Sequence, residues 1–112
     1  MNYINFEVGN ITYKLRLNTR NTVLLEKQLG GSPLSIFGDG EEIPTITSMV
    51  SVFHAAAQQY NHGISLNDAY DIFDNYLEEH AATDFIPVIL EIYKVSGIIP
   101  KDTKKDNEEK NV

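Results

Sequence analysis

A chain of 112 residues, 42% of them hydrophobic, suits one domain built around one core. It has no cysteine, which excludes disulfides, thiolate metal sites and a cysteine nucleophile. The formal net charge is −7, and no Lys or Arg occurs between Lys27 and Lys94; phosphate backbones are bound by clustered cations that displace counterions, so nucleic acid is disfavoured as a partner.

The first two segments alternate. Ile4, Phe6 and Val8 fall on one face of a strand, and Ile11, Tyr13, Leu15 and Leu17 on one face of the next. Gly9-Asn10 between them reads as a two-residue hairpin turn of the primed kind. Closing it pairs Val8 with Ile11, Phe6 with Tyr13 and Ile4 with Leu15, which puts the apolar residues on one side. A lone hairpin is marginal in water, so this one is expected to pack on helices or to extend its sheet with another chain.

Asn18 or Thr19 caps a first helix over about 20–29, with Val23, Leu24, Leu25 and Leu29 apolar and Gly30-Gly31 ending it. Pro33 opens a short helix anchored by Leu34, Ile36 and Phe37. "GDGEE" is a loop. A second long helix starts near Thr45, carries the stripe Ile46, Met49, Val50, Phe53, Ala57 and Tyr60, and is expected to close at Gly63. Ser65 and Asp68 form an acidic variant of the capping box for a third helix. Its apolar face is expected to hold Leu66, Ala69, Tyr70, Phe73, Tyr76 and Leu77, opposite Asp68, Asp71, Asn75, Glu78 and Glu79.

A fourth helix begins around Thr83 or Asp84 with Pro87 in its first turn, has Phe85, Val88, Ile89, Ile92 and Tyr93 as its apolar side, and ends at Gly97. The predicted fold is therefore α+β: an N-terminal two-stranded antiparallel hairpin packed on about four α-helices, in one domain over residues 1–100. Residues 101–112 have four basic and four acidic residues and read as a disordered polar tail. Neither a secretion signal nor an apolar run of the ~18 residues that span a membrane is expected.

"YNHGISLNDAYDIFDNYLEEH", residues 60–80, gathers two histidines, five carboxylates and three tyrosines. His62 and His80 would nevertheless lie about 27 Å apart along a helix rising 1.5 Å per residue. No i, i+4 histidine pair with an intervening glutamate occurs, and Asp68, Asp71 and Asp74 miss the spacing of a calcium loop. Asp68 suits the positive end of a helix dipole, and His54 reads as a boundary residue on the flank of its helix and not as a ligand. No nucleophile motif or phosphate-cradling glycine loop is present. The expectation is a protein that is not an enzyme, with no cofactor, no metal site and no catalytic residue. The polar face Asp68, Asp71, Asn75, Glu78 and Glu79 is the candidate partner surface, against the plainer reading of a solvated helix side. The weakly basic N-terminal stretch, set against the acidic remainder, also predicts a homo-oligomer.

In order along the chain, "FEVGNITYKLRLNTR", "LLEKQLGGSPLSIF", "HAAAQQYNHGISLNDAYDIFDNYLEE" and "FIPVILEIYKVSGIIP" resemble the small tail assembly chaperones of siphophages and prophages of Gram-positive bacteria. The likeness spans roughly residues 6–100. It implies a chaperone that binds the tape-measure protein, recruits tail-tube subunits in the host cell cytoplasm and is absent from the mature virion. It also implies a longer frameshifted product from some copies of the message, diverted near Lys104-Lys105. The alternative is a structural tail or head-tail connector subunit retained in the virion.

Overall fold

The hairpin forms in the register that the alternation dictates. In the computed structural model, which describes residues 2–101, β1 (Ile4–Val8) pairs antiparallel with β2 (Ile11–Leu15), matching Ile4 to Leu15, Phe6 to Tyr13 and Val8 to Ile11. Gly9 takes φ 61° and Asn10 keeps a negative φ, the sign pattern of a type II′ turn, whose twist matches that of the strands. Phe6, Val8, Leu15 and Leu17 are buried on the shared face, but Ile11 is 56% exposed. The expected apolar face is thus covered as far as Val8 on β1, while Ile11 opposite it on β2 is left open. The expected disordered tail lies outside the described residues apart from Lys101.

Four α-helices follow: α1 (Thr19–Leu29), α2 (Ile46–Ala57), α3 (Leu66–Glu79) and α4 (Phe85–Val95), with 3₁₀ turns at Pro33–Phe37 and Ala82–Asp84. The architecture is α+β. Side-chain oxygens at the expected N-caps satisfy orphan amides: Asn18 accepts from the N–H of Asn21, Thr45 from Ser48 and Ser65 from Asp68. The capping box closes reciprocally, with the Asp68 carboxylate accepting from the Ser65 N–H at 2.9 Å.

The centre of the molecule is α2, which meets α1, α3, α4 and β2. It is therefore buried on nearly every side, from Met49 through Phe53 and from Ala55 through Ala57, rather than along a single stripe. The ends of the expected stripe, Ile46 and Tyr60, are exposed. The helix also stops at Ala57, before the expected Gly63. Side chains account for the early stop. Gln58 donates to the carbonyls of His54 and Ile64, both at 2.8 Å, and Asn61 donates through Nδ2 to that of Ala57 at 2.9 Å. The last carbonyls are satisfied without glycine. Around α2, Phe6 lies 5.8 Å from Phe53, 5.1 Å from Tyr76 and 5.4 Å from Phe85 between ring centroids, which ties the hairpin to α3 and α4.

The far end of β2's outer edge, and the chain just past it, is covered by the α2–α3 turn, α2 and the end of α4. Asn61 behaves as one residue of an additional strand: its Nδ2 donates to the Lys14 carbonyl at 2.7 Å, and its Oδ1 accepts from the Lys14 N–H at 3.2 Å. Beyond it, Arg16 N–H donates to the Ala56 carbonyl and Leu17 N–H to the Ser96 hydroxyl, both at 2.9 Å. From Lys14 to Leu17 the backbone is thereby taken up and is not open to another strand. Asn61→Asp keeps the shape but cannot donate to the two carbonyls, so it is expected to destabilise by about 1–3 kcal/mol. Urea unfolding with an unshifted midpoint would show that Asn61 does not hold the edge.

Candidate functional site

The histidines and carboxylates of residues 60–80 do not converge. His80 stands 3.8 Å from Asp84 and stacks on Tyr76 at 4.5 Å, whereas His62 is exposed in the α2–α3 turn. His54, half-buried on α2, has its pKa lowered by burial, which favours the neutral ring. Among the described residues no group of three or more His, Asp and Glu side chains could hold a metal ion. No helix among them is long and apolar enough to cross a membrane.

The five polar residues singled out on α3 are all exposed, and they divide into two sets. Asp68 is committed to its cap: the Ser65 N–H, and then the Ser65 hydroxyl, hold its carboxyl below the usual carboxylate range. Asp71, Asn75, Glu78 and Glu79 make no side-chain hydrogen bond or ion pair among the described residues. Their ridge flanks a feature that amphipathic periodicity misassigns. Leu66, Tyr70 and Leu77, expected in the core, are exposed, with Tyr70 at 49%. Only Ala69, Phe73 and Tyr76 of the expected apolar face are buried. At 100° per residue the three exposed apolar residues fall within about 40° of one another and span about 16 Å. Asp74, Glu78 and Asp71 line the side away from the core. The result is an apolar stripe with a carboxylate border, suited to a helix that carries apolar and basic residues on one face.

A second surface is a groove of about 590 Å³ between the 38–42 loop and α4. Leu34, Phe37, Pro44, Ile86 and Leu90 supply its apolar lining, and Asp39, Glu41 and Glu42 its carboxylates. The loop is ordered by its backbone: the Phe37 carbonyl accepts from Gly40 at 2.8 Å and from Glu42 at 3.3 Å, and Asp39 Oδ1 accepts from the Glu41 N–H at 3.2 Å. Leu34, expected as an anchor of the short helix, is exposed at this groove, while Pro33 and Ile36 are the buried members. Ile43, between two lining residues, is 66% exposed. Periodicity could not find this site, because its walls come from segments some fifty positions apart. The available signal was an acidic loop next to unpaired apolar residues.

The third surface is basic. Arg20, Val23, Leu24 and Lys27 stand along one side of α1, with only a shallow hollow between their side chains. Val23, counted with Leu24, Leu25 and Leu29 among the apolar residues of this helix, is 43% exposed.

Nothing among the curated proteins or the solved structures matches the chain. A family model matches residues 4–112, and the chain belongs to that family, DUF6096, a family of unknown function.

Proposed function

We propose that the protein is a binding protein rather than an enzyme: a phage tail assembly chaperone that holds a helical segment of the tape-measure protein against α3. In this role it recruits tail-tube subunits in the host cytoplasm and is left out of the mature virion. The observation that carries the binding role is the stripe Leu66, Tyr70 and Leu77 beside the carboxylates of Asp71, Asp74 and Glu78. Three exposed apolar residues spread over three turns give a partner helix a place to lay its own apolar face. The carboxylates favour partners with Lys or Arg beside that face and repel acidic ones. The identity of the partner rests on the resemblance of residues 6–100 to tail assembly chaperones.

The test is co-purification with the product of a long helical reading frame downstream of this gene. Tyr70→Ala is expected to weaken the complex by about tenfold, because a central aromatic commonly dominates such a contact. Melting temperature should barely change, since the side chain is largely outside the core. Full retention of the complex in Tyr70→Ala/Leu77→Ala would remove α3 as the docking face. Finding the chain in purified virions would replace the chaperone with a retained structural subunit.

A further inference from the structure

We infer that copies of this chain join head to tail, the basic ridge of α1 in one copy seating in the acid-lined groove of the next. Arg20, Val23, Leu24 and Lys27 follow i, i+3, i+4, i+7 spacing, so they share one face of α1 over about 10 Å. The ridge has an apolar middle and a cation at each end. The groove offers the complement, with apolar walls from Leu34, Phe37 and Ile86 and carboxylates from Asp39, Glu41 and Glu42.

Charge favours this pairing over ones that use the α3 stripe, Lys14 or Lys94. The exposed stripe of α3 is bordered by carboxylates, which an acidic groove repels. Lys14 lies over the Tyr3 ring at 5.1 Å, and Lys94 is 3.4 Å from Glu91. Arg20 and Lys27, in contrast, make no ion pair among the described residues. Within one copy the ridge and the groove both stay open, so the contact is between copies. Two different patches meet, which makes the interface heterologous; its repetition gives a ring where the rotation closes and a filament where it does not. No α3 residue takes part, so failure here and failure of the chaperone reading are separable.

The experiment uses the full chain in sedimentation velocity over a range of concentrations. At low salt the mean mass should rise with concentration, and about 0.5 M salt should reduce the rise, because the Debye length shrinks to a few ångströms. Two surface variants are compared: Arg20→Glu/Lys27→Glu, with a reversed ridge, and Asp39→Lys/Glu41→Lys, with a reversed groove. Each alone should associate at least about tenfold more weakly, since like charges then face each other. An equimolar mixture should recover association, because each variant's ridge is complementary to the other's groove. Circular dichroism checks that both variants fold. A wild-type chain that stays monomeric, variants that associate as the wild type does, or a mixture that remains monomeric would each overturn the inference. So would a monomer whose groove amide signals shift only on addition of a Lys/Leu helical peptide, which would assign the groove to a different protein.

Discussion

Phe53→Ala is expected to destabilise the fold by about 3–5 kcal/mol, the range for removing a buried aromatic ring. Phe53 is 0% exposed on the central helix. Its ring meets Phe6 at 5.8 Å and Tyr13 edge-on at 5.6 Å, so the cavity would open where both strands rest on α2. Part of the cost is lost transfer free energy, and part is the void left when neighbours relax incompletely. The neighbours here are held by the hairpin register and by the hydrogen bonds of Asn61, which limits collapse into the space. Against a total stability of about 5–15 kcal/mol for a domain, the loss is a large fraction. Urea unfolding should show a much lower midpoint with an unchanged slope. A loss under about 1 kcal/mol would place the ring outside the load of the core.

The second large effect is expected in alkaline solution and is centred on Tyr93. This side chain is 0% exposed, and its hydroxyl donates to the Pro33 carbonyl at 2.8 Å. Burial pushes its pKa far above the ordinary value of 10.0, because the phenolate would be desolvated. The sign follows from linkage. Below pH 10 the phenol is neutral in both folded and unfolded chains, and its contribution is fully present. Above pH 10 the unfolded chain releases the proton while the folded chain keeps it. Stability then falls by about 1.4 kcal/mol per pH unit from this group until the folded pKa is passed. Burial also raises Tyr13 and Tyr76, helped by the charges of Asp68 and Asp84 respectively, so a smaller alkaline loss remains without Tyr93.

Tyr93→Phe should therefore flatten most of the decline between pH 10 and 11.5. At neutral pH it should cost about 1–3 kcal/mol, because the Pro33 carbonyl loses its buried donor. Melting temperature followed across this range in both proteins separates the two contributions. An equally steep alkaline loss in Tyr93→Phe would show that other groups govern it.

The candidate surfaces were only partly legible in the sequence. Asp71, Asn75, Glu78 and Glu79 could be placed on one exposed side of α3, since acids at helical spacing are costly to bury. The periodicity that located them also assigned Leu66, Tyr70 and Leu77 to the core. A helical pattern marks an apolar arc, but the neighbouring elements set how wide an arc is covered. On α3 the cover extends over Ala69, Phe73 and Tyr76 and no farther. Val23, Leu34 and Ile11 remain uncovered in the same way.

What the sequence determined by itself is the local chemistry. The Gly9-Asn10 turn and the alternation around it fix the hairpin register, and Asn18, Thr45 and Ser65 set where α1, α2 and α3 begin. These outcomes depend on atoms within about four residues of one another, so a linear pattern records them. The tertiary structure decided the pairing of Lys14 with Asn61 at the edge of β2, the complete burial of Phe53 and Tyr93, and the groove between the 38–42 loop and α4. Each of these depends on surface shared between segments distant in the chain, such as the 60 positions between Pro33 and Tyr93. Burial is a property of such pairs, and no single segment carries it.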